Sequence, residues 1–550
     1  MTQSLIRAED RVLDALVLTA VVTFVVIATY RIHLPGLYYD EVLFVNAARG
    51  GPQDYFIFAR FGHLPIMVMP YLGALKAWLY YPVFAALGVS PLTIRLPIIL
   101  VAATTILVYY FFIRKIMGRR WACAVAWFMA LSPAFLFTSR LDWGPVVLMQ
   151  FFKAVILFLW FAYLEKPALW KLMGIGVCGL LGFFDKFNFI WLVLAFSGGV
   201  LLVYPEKIQS VWYSLSPRLR FLAAIVSLTA ALAVAFLVTP LVQLPVLADS
   251  GRRISENWNG ILTTLSGTAV AEFIFGSSKG FLRFEPWGTI LPAMLAGVAC
   301  LLPRNSAPNF LANRKAGWFC ITAMFLVSMQ IAFTPQAGGP HHYVMLFPFP
   351  LLALAFCSRA IAEHLDNRHY LSTARAFIVI IAGSALLLAF ANATNTFIYL
   401  KHFKTSADYN PRWSPAIYKL AKFIGKKGDG VNKIVCVDWG IANQLEAISL
   451  TAIGQKIEDC WAFFNNLPES TNPNYSNDLA HVFSAGHNLA ICFAQSRETF
   501  PATRSHFLAR INSQLFHARL LTTINARDHE EIYEIYEIMG HSDLSSIESR

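Results

Sequence analysis

The sequence predicts a polytopic α-helical membrane protein of about eleven spans with a C-terminal extracytoplasmic α/β domain, and three observations carry that expectation. Of 550 residues, 57% are hydrophobic and only 14% are charged, whereas a soluble globular chain carries roughly 25% charge and 45–50% apolar residues. Eleven runs approach the length of about 20 predominantly apolar residues that a membrane helix needs. Beyond residue 400 the chain changes character, with 15 Lys plus Arg balanced by 16 Asp plus Glu over the last 150 residues.

The runs are 12–32, 93–113, 121–138, 146–164, 170–184, 187–204, 221–245, 287–303, 317–333, 343–358 and 376–398. The first has no small-residue cleavage site and is too long for a removable signal peptide, so it is expected to stay as an anchor. A further apolar stretch, 64–86, is assigned to the outside. If it crossed, Arg114, Lys115, Arg119 and Arg120 would lie opposite Arg7 and Arg11, against the preference of basic residues for the cytoplasmic side. Its Pro65, Pro70 and Pro82, with Lys76 among them, suit an interfacial or re-entrant juxtamembrane segment within a first outer loop, 33–92. An odd number of spans from a cytoplasmic N-terminus then puts the tail outside. The expected domains are a transmembrane domain over 1–400 and a soluble outer domain over 401–550, in a plasma (cytoplasmic or inner) membrane. In the tail, Lys433–Asp438 (KIVCVD) and Asn488–Phe493 (NLAICF) read as strands between helical stretches.

A formal net charge of +12 would suggest nucleic acid in a soluble protein. Here the tail is nearly neutral and the excess lies largely in short cytoplasmic turns, where it orients the spans, so no nucleic-acid partner is expected. The eight Cys show no CxxC or Cys/His metal spacing, which argues against a zinc module or a disulfide scaffold. Cys436, Cys460 and Cys492 would allow one disulfide in an oxidising compartment.

Ionisable residues gather at the outer face, where chemistry on a membrane protein is most informative. The first outer loop holds Tyr38-Tyr39-Asp40-Glu41 and later Arg60, His63 and Pro65. The second holds Ser139-Arg140-Leu141-Asp142-Trp143-Gly144-Pro145. Asp185 and Lys186 occupy the turn between spans five and six, and Gly338-Gly339-Pro340-His341-His342-Tyr343 the turn before span ten. Each has a structural reading as well. Asp40 and Glu41 suit a helix N-terminus, Asp142 suits a cap on span four, Asp185 and Lys186 suit a neutralised pair, and the two His suit the interface. Convergence of four separate segments on one face favours function.

Together these motifs resemble the GT-C glycosyltransferases. The shared features are the acidic pair in the first outer loop, the following His-x-Pro before an apolar juxtamembrane stretch, the basic turn after span two, Arg140-x-Asp142 in the second loop, and the Lys of Phe183-Phe184-Asp185-Lys186. The nearest branch is that of protein O-mannosyltransferases and lipid A aminoarabinose transferases. The match covers residues 1 to about 205, continues to 400 as a span pattern only, and departs at His63, where the aminoarabinose branch usually has Lys.

The resemblance implies an enzyme, a hexosyl- or pentosyltransferase taking sugar from a polyprenyl-phosphate carrier to a glycan, lipid or protein hydroxyl outside the membrane. Asp40 is then the candidate base, Glu41 orients it or the acceptor, and Asp142 positions the acceptor or a metal. His63, Lys186, His341, His342, Arg252 and Arg253 are candidates for the donor phosphate. A divalent cation (Mg, Mn or Zn) held by Asp40 and Asp142 is the possible cofactor. A transporter or flippase of lipid-linked sugars is the alternative. It would show ionisable residues near mid-membrane, of which Lys153 is the main one, and related halves, which the sequence lacks. Arg31 and Arg95 lie near span ends, where they can snorkel.

Overall fold

The structure is a computed structural model describing residues 3–50, 57–222, 250–301, 308–334, 338–367, 371–405, 409–449, 451–465, 479–483, 486–512, 516–526 and 530–540, with isolated positions between 224 and 232. It forms two compact units. A helix unit comprises Met1–Thr29, Ile98–Glu272 and Ser278–Leu400; a loop unit comprises Tyr30–Pro97, Phe273–Ser277 and Lys401–Arg550. Residues 30–97 therefore belong to the same unit as the C-terminal residues.

Among the described residues, six helices are long and apolar enough to cross a membrane: Ala8–Thr29, Pro91–Met117, Val146–Glu165, Phe310–Phe333, Pro340–Leu365 and Val379–Thr405. The chain is a multi-pass membrane protein. Two further pairs pass the same length and composition requirement together, which makes eight if each pair is one span. Arg119–Leu131 and Pro133–Leu141 meet at 56°, and Phe187–Val203 and Pro205–Ser214 at 93°; a proline opens the second helix of each pair, where its ring ends the preceding hydrogen-bond ladder. Of the other expected spans, 170–184 is the 17-residue helix Leu169–Asp185 and 287–303 contains the shorter apolar helix Trp287–Leu301. The expected span 221–245 lies largely outside the described residues.

In the loop unit, the segment 64–86 is half strand. β1 (Ala59–Phe61), β2 (Leu64–Met69) and β3 (Leu72–Gly73) form a small antiparallel sheet, and only Leu75–Leu87 is helical. Pro65 and Pro70 explain the change, since neither can continue a helix ladder and Pro65 sits near the start of β2. The C-terminal residues build a five-stranded sheet in the order β5-β4-β6-β8-β7, from β4 (Lys433–Cys436), β5 (Ile457–Asp459), β6 (Asn488–Phe493), β7 (Phe516–Asn525) and β8 (Glu531–Gly540). β5, β4 and β6 run parallel, and the β7–β8 hairpin is joined antiparallel to β6. Alternation along the strands feeds two cores. Ile434, Cys436, Leu489 and Ile491 meet Leu420 and Ile424 of helix Ala416–Lys427 on one face. Val435, Ala490 and Cys492 meet Phe464 and Phe507 on the other.

The disulfide that the sequence allows is not formed; Cys436, Cys460 and Cys492 are all free and buried. Cys436 and Cys492 belong to opposite cores of the sheet, which keeps their sulfurs apart.

Candidate active site

In the loop unit, helix Tyr39–Arg49 opens on the acidic pair, with Asp40 and Glu41 in its first turn, where the helix dipole favours negative charge. The two acids have different surroundings. Glu41 and Arg95 are each 1% exposed and form a bidentate ion pair, Arg95 Nε to Glu41 Oε1 at 2.6 Å and Arg95 Nη2 to Glu41 Oε2 at 2.8 Å. Arg95 also donates to the carbonyls of Ile32 (2.7 Å), Pro35 (3.0 Å) and Gly36 (3.3 Å). Arg95 is thus a central brace of the loop, not a snorkelling residue, and Glu41 is committed to holding the helix. Asp40 is half-buried and lies within electrostatic reach of three phenols. Burial first, and then the Asp40 carboxylate, raises the pKa of Tyr38, Tyr39 and Tyr71.

The C-terminal residues of the same unit supply the floor under this helix. Gly36 N–H donates to Trp413 O at 2.7 Å, and a β-carbon at Gly36 would lie 2.2 Å from Ser414 O, so only glycine fits. Tyr38 stacks on Trp413 with centroids 4.1 Å apart, and Tyr39 packs on Trp439 at 4.2 Å. Trp439 is a packing residue here, with ring contacts to both Tyr38 and Tyr39. Asn46 donates to Asn443 O and Glu446 Oε2, and Arg49 to the carbonyls of Glu446, Ala447 and Ser449 at the end of helix Ile441–Ile448. His63 lies exposed in the two-residue turn between β1 and β2.

In the helix unit, three of the expected segments come together. Asp142 is buried in the left-handed region (φ 43°), and its Oδ1 accepts the Val147 N–H at 2.9 Å, capping helix Val146–Glu165. The helix-cap reading of Asp142 therefore holds for one carboxylate oxygen. Gly144, also left-handed, is a cradle: a β-carbon there would lie 3.1 Å from Lys186 Nζ and 3.7 Å from His341 Cδ2. Trp143 stacks on His341 with centroids 4.8 Å apart, and His341 lies 4.0 Å from His342. Asp185 and Lys186 are buried where helix Leu169–Asp185 gives way to the turn Phe187–Phe189.

Two solved proteins resemble the chain. ArnT from Cupriavidus metallidurans, bound to undecaprenyl phosphate, is similar over 95% of this chain and 97% of its own, at 15% identity and a TM-score of 0.49. The archaeal oligosaccharyltransferase AglB from Archaeoglobus fulgidus, in complex with an inhibitory peptide and a dolichol-phosphate, is similar over 86% of this chain and 69% of its own, at 14% identity and a TM-score of 0.46. No protein-family model and no curated protein matches the sequence. Likeness at these values is one of outline, so residue roles in this chain rest on its own sequence and geometry.

Several residues that shape the site carry no motif. Gln150 and Lys153, one helical turn apart, donate to Val344 O (2.8 Å) and to the carbonyls of Met345 (2.9 Å) and Phe347, which fixes the segment following His341-His342-Tyr343. Lys153 is therefore a scaffold residue and not a charge exposed at mid-membrane. Tyr343 donates to Asn257 Oδ1 at 2.9 Å, and Asn257 in turn donates to Ile331 O and Ala332 O. Their one sequence signal is a polar pair spaced three apart in an apolar helix, which marks a face that meets backbone. The side chains of Arg252 and Arg253, early in helix Ser250–Leu265, lie outside the described residues. Among the described residues no group of three or more His, Cys, Asp or Glu is placed to hold a metal ion.

Proposed function

We propose that the protein is a GT-C-type glycosyltransferase with eleven spans and its C-terminal domain, 401–550, outside. It moves a sugar from a polyprenyl-phosphate carrier to an acceptor hydroxyl on the outer face of the plasma membrane. The observation that carries this reading is the grouping of Lys186, His341 and His342 about the Asp142–Gly144 turn. A sugar on a single phosphate already has a good leaving group. What the reaction needs from the protein is positive charge or hydrogen-bond donors where the departing phosphate gains negative charge. Lys186 supplies the charge and the imidazoles supply donors.

The acceptor hydroxyl needs a base. Asp40 takes its proton as the oxygen attacks the anomeric carbon, while the carbon–oxygen bond to phosphate breaks on the opposite side, giving inversion. Glu41 acts only through position, since both its oxygens are engaged by Arg95. Asp142 keeps the turn in shape through Val147 and orients the acceptor.

The test is sugar transfer by membranes containing the full chain, using a labelled polyprenyl-phosphate sugar. Asp40→Asn is expected to lower the rate by ~10²–10⁴-fold, the usual worth of a general base, with thermal unfolding unchanged. Full activity of both Asp40→Asn and Asp142→Asn would overturn the mechanism.

A further inference from the structure

We propose that the β1–β2 hairpin is a membrane-dipping finger, with Phe58, Phe61 and Leu64 seated at the headgroup–acyl boundary of the bilayer. In the whole chain these side chains are 65%, 80% and 47% exposed. A cluster of large apolar side chains at a hairpin tip is costly in water and marks a surface with a partner. Phe61 and Leu64 are cross-strand neighbours in the register of the sheet, so they share one face of the tip.

Chain connectivity identifies the partner as lipid. β3 ends at Gly73 and helix Leu75–Leu87 follows after one residue; three residues later Pro91 opens a helix able to cross the membrane. The four steps from Leu87 to Pro91 span at most about 14 Å, so the end of helix Leu75–Leu87 is held near the start of a spanning helix. The hairpin tip is tied to the same helix. Trp78 Nε1 donates to Pro65 O at 2.8 Å, and Pro65 directly follows Leu64. Tyr81, less than one turn beyond Trp78, is 66% exposed. Phe, Leu and Tyr on a tethered, exposed edge are the composition that partitions into the interface.

The finger gives His63 a different ligand from the sugar donor. Exposed in the turn between Phe61 and Leu64, it lies at headgroup level and meets lipid phosphate. The inference is independent of sugar transfer, because its readout is depth.

Full-length protein carrying a nitroxide at Phe61→Cys is placed in nanodiscs of phosphatidylethanolamine and phosphatidylglycerol, with label uptake by the unsubstituted protein as background. Power-saturation spectroscopy is expected to show greater accessibility to oxygen than to a water-soluble nickel chelate, and the same at Leu64→Cys should Phe61→Cys fold poorly. Nickel accessibility exceeding that of oxygen would put the tip in water and overturn the inference. Exclusion of both reagents would put it against protein, with the same consequence.

Discussion

Buried charge is balanced differently in the two units. In the helix unit three buried cations are set on backbone carbonyls, while the buried Asp142 accepts the Val147 N–H. Arg140 donates to Ala28 O and Ile27 O at the end of the first helix, Lys153 to Met345 O and Phe347 O, and Lys171 to Ala162 O and Lys166 O. In the loop unit the buried charges include carboxylates, held by an ion pair at Glu41 or by N–H donors at Asp438 and Glu446. Carbonyls at helix ends and in broken turns are the negative poles available within an apolar bundle, so a cation there satisfies them without a counter-acid. In the loop unit, packing desolvates acids instead. Burial pushes Asp438, Glu446 and Asp459 each up to about 7, Glu446 also through its neighbour Asp459.

Removing Arg95 tests that contrast most severely. Arg95→Met leaves Glu41 charged and buried without its cation, which costs about 3–5 kcal/mol, read as lower thermal stability and as proteolysis within residues 30–97. Arg95→Met with Glu41→Gln should recover part of the loss. A single Arg95→Met variant as stable as the parent would mean the ion pair does not hold the loop. Lys153→Met should cost less, about 1–3 kcal/mol, because it removes a buried charge as well as the donor to two carbonyls. Its signature is reduced sugar transfer with the unfolding transition only modestly lowered; unchanged transfer would detach Lys153 from the His341–His342 turn.

The smallest effect expected is in the acids. A buried carboxyl whose pKa is raised on folding binds its proton more tightly than the unfolded chain does. Its contribution is therefore greatest below the ordinary carboxylate range and is lost as pH rises through about 7. Unfolding of the C-terminal domain, followed by hydrogen exchange, should become easier between pH 5 and pH 8. Glu446→Gln should flatten this dependence and stabilise the domain at pH 8 by ~1–2 kcal/mol. An undiminished pH dependence in that variant would remove Glu446 from the account.

Hydropathy makes six of the eleven expected spans legible as long apolar helices, because lipid imposes one dominant requirement on a helix, and β4 and β6 are legible in KIVCVD and NLAICF. Segment 64–86 reads as interfacial or re-entrant, and what the sequence does not give is that its first half is strand; prolines announce the end of a helix and say little about what replaces it. Asp142, Lys186, His341 and His342 could be named from position, and three of their segments do come together. Arg95 could not, since an Arg at the start of a span looks the same whether it reaches water or a Glu 54 residues away. Lys153 was similarly opaque, its partners being carbonyls 192 and 194 residues distant.

The most direct test of the central claim is mass spectrometry of the lipid bound to the purified full-length protein after incubation with a polyprenyl-phosphate sugar. The account predicts a polyprenyl monophosphate carrier, with or without its sugar, retained through purification and weakened by Lys186→Met. Recovery of membrane phospholipid alone, with no polyprenyl carrier at any concentration supplied, would contradict it.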